Sequence, residues 1–155
     1  MPDPRFGSVS DILAFAIQRE IEAAQGYGGL ALRAATPGLR DLLLELRSEE
    51  ENHRRLLENI TAAGLAAAAA PPAEDMGLSD ALADVPLAPE MTFQELLIFA
   101  ARKEKKAEDL YAGLALRPEV AGHRSAFEFL AGQERAHKLK LKLEAEYEKR
   151  VLTED

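Results

Sequence analysis

The feature that most constrains this chain is a repeat. Moved along by 84 residues, the first part of the sequence falls on the second without a gap. Ser8 lands on Thr92, Asp11 on Glu95, Leu13 on Leu97, Phe15 on Phe99 and Ala16 on Ala100. Further on, Glu20 lands on Glu104, Ala23 on Ala107, Tyr27 on Tyr111, Leu30 on Leu114 and Ala31 on Ala115. The match then resumes with Leu46 on Leu130, Glu50 on Glu134, His53 on His137 and Leu57 on Leu141. Self-similarity at a fixed offset means that one structural unit is built twice. The expectation is two copies of one unit related by a pseudo-twofold axis.

Proline placement says what that unit is. Four stretches, at about 9–35, 39–62, 92–116 and 120–150, contain no proline. In each, the apolar residues recur at helical spacing rather than in strand alternation. The first runs Ile12, Leu13, Ala16, Ile17, Ala23, Ala24, Tyr27; the second runs Leu39, Leu42, Leu43, Leu46, Leu57, Ile60. The third and fourth repeat the pattern through Leu96, Leu97, Ala100, Ala107, Tyr111 and through Phe127, Leu130, Leu141. Helix starts are marked as well. Ser8 with Asp11 and Thr92 with Glu95 have capping-box spacing, and Thr36-Pro37 reads as an N-cap followed by proline at the first helical position. Short connections near 36 and 118 make each copy an antiparallel hairpin (8–62 and 92–150). Residues 63–90 are rich in Ala and Pro, with a short helix possible near 79–83. A helix of about 25 residues is about 38 Å long. A linker of this size can run that length and make the second and third helices parallel. The expected fold is therefore all-α: one domain over 1–155, a four-helix bundle of two duplicated hairpins joined by a long crossover.

Polar residues on the apolar stripes carry the chemistry. Glu20 is surrounded at i±3 and i±4 by Ala16, Ile17, Ala23 and Ala24; Glu104 has Ala100, Ala101 and Ala107, with Glu108 as the exception. Glu50 and His53 share a face, and so do Glu134 and His137, because three residues separate each pair. Four carboxylates and two imidazoles thus point inward. A buried carboxylate costs several kcal/mol even after relaxation, and four would repel one another. Protonation or cations must relieve this. No Lys or Arg lies on the inner stripe of the first helix; Arg47, Arg54, Arg102 and Lys103 sit at stripe edges. Two divalent ions would balance four carboxylates. One Glu from each of two helices, with Glu-x-x-His from each of the other two, is the dinuclear carboxylate arrangement of four-helix proteins. Glu20 and Glu104 would be the single carboxylates, Glu50 and Glu134 the bridging candidates, and His53 and His137 would bind one ion each. Oxygen and nitrogen donors suit iron, with manganese possible. Tyr27 and Tyr111 lie two turns beyond Glu20 and Glu104 on the same face. A hydrogen bond from each to a ligand carboxylate is one reading, and a core role with the hydroxyl satisfied elsewhere is the other. Gly26, Gly28 and Gly29 permit either close helix approach or a local bulge.

Composition removes other classes. Acidic residues outnumber basic ones by eight, against a phosphate-backbone partner such as nucleic acid. There is no cysteine, which excludes disulfides, thiol catalysis and thiolate-bound metals. The most apolar run, Ala62 to Ala70, is too short for a bilayer and stops at Pro71-Pro72. A cytoplasmic protein without membrane association is expected.

With Glu20, Glu50-x-x-His53, Glu104, Glu134-x-x-His137, Tyr27 and Tyr111 in place, the sequence resembles the rubrerythrin group of the ferritin-like superfamily. The resemblance covers all four helices. It implies a non-haem di-iron site that reacts with peroxide or dioxygen, in a homodimer, and so an oxidoreductase of peroxidase or ferroxidase type. The alternative is iron binding, storage or delivery without turnover. Rubrerythrins proper carry a cysteine-bound iron domain, so here an external electron donor protein is implied. Their extra Glu, three residues after the third-helix ligand, is replaced by Ala107, with Glu108 adjacent. The six-ligand set is then closer to the ferroxidase centre of bacterioferritin. The charged segment Lys149 to Asp155 shows no sign of the short fifth helix of cage ferritins, which makes a storage cage the weaker expectation.

Overall fold

The computed structural model describes residues 8–63 and 91–153, with side chains through 147. The expected crossover and the short helix near 79–83 lie outside the described residues. Among those described there is no strand, and four α-helices carry the fold: α1 (Val9–Arg33), α2 (Pro37–Ala62), α3 (Phe93–Ala115) and α4 (Arg124–Thr153).

The starts of these helices follow their capping chemistry. The Ser8 side chain accepts from the Asp11 amide at 3.2 Å, and Thr36 Oγ1 accepts from the Leu39 amide at 3.2 Å with Pro37 behind it. Thr92 completes a reciprocal capping box with Glu95. Each cap satisfies an amide that the helix itself cannot.

The first hairpin pairs α1 with α2. Its buried seam on α2 reads Leu39, Leu43, Leu46, Glu50, His53, Leu57, Ile60. That alternation of four and three residues is the 3.5-residue period of helices packed side by side. On α1 the matching seam is Ile12, Leu13, Ala16, Glu20, Ala24, Tyr27, Ala31. Burying a Leu or Ile is worth about 1.5–3 kcal/mol, so these aliphatic layers above and below the acids hold the hairpin together. The helices run antiparallel: Glu20 faces Glu50 and His53, while Gly28 lies against Arg47. A Cβ at Gly28 would meet the Arg47 side chain at 3.5 Å, an ordinary contact, and Gly26 and Gly29 face open space. Neither a close approach nor a bulge requires these glycines, since α1 continues through all three.

The second hairpin pairs α3 with α4, again antiparallel. Gln94 Nε2, near the start of α3, donates to the Ala145 carbonyl at 3.2 Å, and Lys138 Nζ meets Glu108 Oε1 at 2.9 Å. The fourth helix begins later than its proline-free stretch suggests. Pro118–His123 forms a 3₁₀ turn, kinked at Val120, whose side chain is buried. Arg124 Nε donates to the Ala115 carbonyl at 3.0 Å and so satisfies an acceptor left over at the end of α3.

Candidate metal centre

Each hairpin buries one group of two carboxylates and an imidazole. In the first, Glu20 comes from α1 and Glu50 and His53 from α2; all three are 3% exposed or less. Their candidate ligand atoms lie within 4.8 Å of one another. His53 Nδ1 is 3.5 Å from Glu50 Oε1 and 3.7 Å from Glu20 Oε2. In the second, Glu104 comes from α3 and Glu134 and His137 from α4, equally buried and likewise within 4.8 Å. His137 Nδ1 is 3.7 Å from Glu104 Oε2 and 3.9 Å from Glu134 Oε2. All six residues expected from the sequence are therefore buried, three in each hairpin, in the same internal arrangement.

These separations fit a metal. Donors bound to one ion at about 2.1 Å each can be no more than about 4.2 Å apart. The four imidazole–carboxylate distances, 3.5 to 3.9 Å, fall inside that limit and are longer than good hydrogen bonds. The donors are oxygen and imidazole nitrogen, a set for iron, manganese or zinc rather than a thiolate-seeking ion.

Without a metal the first group is electrostatically strained. Burial pushes the Glu20 carboxyl up to about 7; Arg19 pulls against this and the neighbouring Glu50 adds to it. Burial alone would lower His53, but Glu20 and Glu50 facing it raise it to about 10. The group thus keeps protons that a metal would have to displace.

Sequence reasoning missed one residue of this group. Arg19 precedes Glu20 and should point off the stripe, yet its guanidinium reaches the acids. Nη1 lies 2.9 Å from Glu20 Oε1 and 3.4 Å from Glu50 Oε2, with the side chain 12% exposed. The expectation that no cation attends the inner stripe of α1 is corrected here. Helical spacing records where a Cα lies, not how far a flexible stem bends back.

Tyr27 and Tyr111 are buried at 3% and 0% exposure. Glu108 is held in an ion pair by Lys138. His123 closes the 3₁₀ turn, half-buried, and belongs to neither group.

The sequence model of the rubrerythrin family matches residues 11–145. The chain belongs to the rubrerythrin family. That span takes in all six acidic and imidazole ligand candidates, and the ferritin-like, all-α four-helix class comes with it. A search of curated proteins and a search of solved structures found no match. Family membership suggests a di-iron protein, and the buried Glu and His groups could hold metal. No described helix is long and apolar enough to cross a membrane.

Proposed function

We propose that the chain is one ferritin-like domain over 1–155 that carries a non-haem dinuclear centre and reduces peroxide or dioxygen. The observation that carries this is the twin grouping: two carboxylates and an imidazole, buried together, twice, with the same spacing. Iron, or manganese in its place, would be held by Glu20, Glu50, His53, Glu104, Glu134 and His137. When bound, the pair of ions supplies the electrons for the reduction. The chain's part is to hold and neutralise charge. Four carboxylates balance two dications, and the aliphatic layers of each seam keep water from the donors. Tyr27 and Tyr111 would donate hydrogen bonds to ligand carboxylates and fix their orientation. Re-reduction would fall to an electron donor outside these 155 residues, which contain no cysteine to hold an electron-relay iron. The second reading is iron binding, storage or delivery by the same six residues without turnover.

A homodimer in the cytoplasm completes the proposal. Its support is an apolar stripe on α4: Phe129, Leu139, Leu143 and Tyr147 are each at least half exposed and share one face. At the equivalent positions of the first hairpin stand Glu45, Arg55, Asn59 and Ala63. The fold does not require an apolar residue there, so a second copy is the partner assigned to that stripe.

The test is metal analysis of the purified protein, then anaerobic loading with ferrous iron and addition of peroxide. About two ions per chain, and a ferric absorption band formed on peroxide, are expected from four carboxylates and two imidazoles. Repeated turnover with an added reductant separates the enzyme from the iron-handling protein; many ions per chain in a large assembly would favour the latter. No metal bound and no band would end both readings.

A further inference from the structure

We propose that Arg19 is a built-in substitute for the metal in the first group, bound to its carboxylates when the metal is absent and displaced when the metal binds. This rests on the metal reading of the site. The geometry is specific: one guanidinium nitrogen spans two carboxylates from different helices, at 2.9 Å to Glu20 and 3.4 Å to Glu50. Both carboxylates are fully buried, whereas the arginine is 12% exposed. The acids are fixed inside, and the cation reaches them from the rim.

Charge counting gives Arg19 its role. Ionised together, Glu20 and Glu50 carry two negative charges, which are costly to leave unbalanced and which His53 facing them offsets only in its protonated form. The guanidinium always carries one positive charge, so it offsets half of them and holds both acids in place on a formed seam. A dication bound by the same acids supplies both positive charges itself. The arginine's charge is then surplus beside a like-charged ion, and repulsion at this range in a buried site is strong. Its flexible stem and partial exposure give it a way out to solvent without moving either helix. Arg19 therefore stabilises the metal-free hairpin and competes with the metal for Glu20 and Glu50. The 84-residue offset places a lysine, Lys103, at the equivalent position of the second hairpin. Lysine is a compact point charge rather than a planar fork, and Lys103 Nζ lies 5.4 Å from the centre of the Phe99 ring. The two groups are not chemically equivalent.

The experiment is a cobalt(II) titration of the full chain, followed by absorption against a competing chelator, together with thermal melting of the chelator-treated protein. Wild type is compared with Arg19→Met, Arg19→Lys and, as a control of equal charge change on an exposed part of α2, Arg40→Met. Arg19→Met is expected to bind cobalt about tenfold tighter or more, from the removed like charge, and to melt lower without metal. Arg19→Lys should fall between, and Arg40→Met should match wild type. Unchanged affinity and melting for Arg19→Met in a wild type that binds cobalt would overturn the arginine proposal alone. So would equal shifts for Arg40→Met. Cobalt bound by neither wild type nor Arg19→Met would overturn the metal reading and this proposal with it. Cobalt bound only by Arg19→Met would show the arginine holding the site closed.

Discussion

Glu20 and His53 make the first hairpin sensitive to pH in a direction that can be worked out. Both hold a proton more tightly when folded: Glu20 near 7 against an ordinary 4.5, His53 near 10 against 6.5. Stability from such groups is full below the unfolded value and is lost as pH rises through the folded one. The metal-free protein should therefore lose stability as pH rises, through Glu20 between 4.5 and 7 and through His53 between 6.5 and 10. The slope is at most about 1.4 kcal/mol per pH unit for each proton. Chemical denaturation in chelator at several pH values measures this, and stability that rises over pH 7–10 would contradict it. Metal binding needs these groups deprotonated, so cobalt affinity should move the other way and increase with pH. Glu20→Gln separates the two effects. It takes one ionisable group from beside Arg19 and His53, so the metal-free protein should no longer lose stability through that group between pH 4.5 and 7, while cobalt affinity should fall tenfold or more. A variant that melts higher and still binds cobalt normally would remove Glu20 from the ligand set.

At the scale of the helix, the match between reading and structure depends on how much of a position's fate spacing decides. The ligand candidates were legible because they interrupt the 3.5-residue seams at repeated places: Glu50 and His53 sit between Leu46 and Leu57, Glu134 and His137 between Leu130 and Leu141. Thr36-Pro37 and Thr92 marked helix starts because their side chains act on amides three residues away. Two things escaped. Arg19 lies off the seam in sequence and joins the acids only through its reach. The 3₁₀ turn at Pro118–His123 escaped because Val120 continues the apolar pattern of α4 although its backbone leaves helical geometry. The glycines of α1 give a test at this scale. Gly26 is exposed and an added Cβ there meets nothing, so Gly26→Ala should raise stability by about 0.5–1 kcal/mol. Urea denaturation reads it directly, and a loss of stability would mean that the helix uses this glycine in a way that sequence and packing do not reveal.

For the whole molecule, the family assignment and the repeat agree on the class of fold, and the stripe on α4 carries the prediction about assembly. Leu143 is 70% exposed and Leu139 50%. If a second copy covers them, Leu143→Glu should convert a dimer to a monomer in sedimentation equilibrium with little change in cobalt affinity. A wild-type monomer, or a charged variant that still dimerises through this range of concentration, would remove the stripe from the interface. The net charge of −8 adds a general attraction for cations that salt should weaken, whereas the buried groups are shielded from it.

The twin grouping has an evolutionary consequence. Each hairpin contains its own Glu, Glu and His, so a change that spoils one copy leaves the other's trio whole. A two-ion centre draws on both trios, so only positions outside them are free to drift. Arg19 matched with Lys103, and Glu45 matched with Phe129, are repeat positions of this kind, where the two halves differ in charge geometry and in polarity.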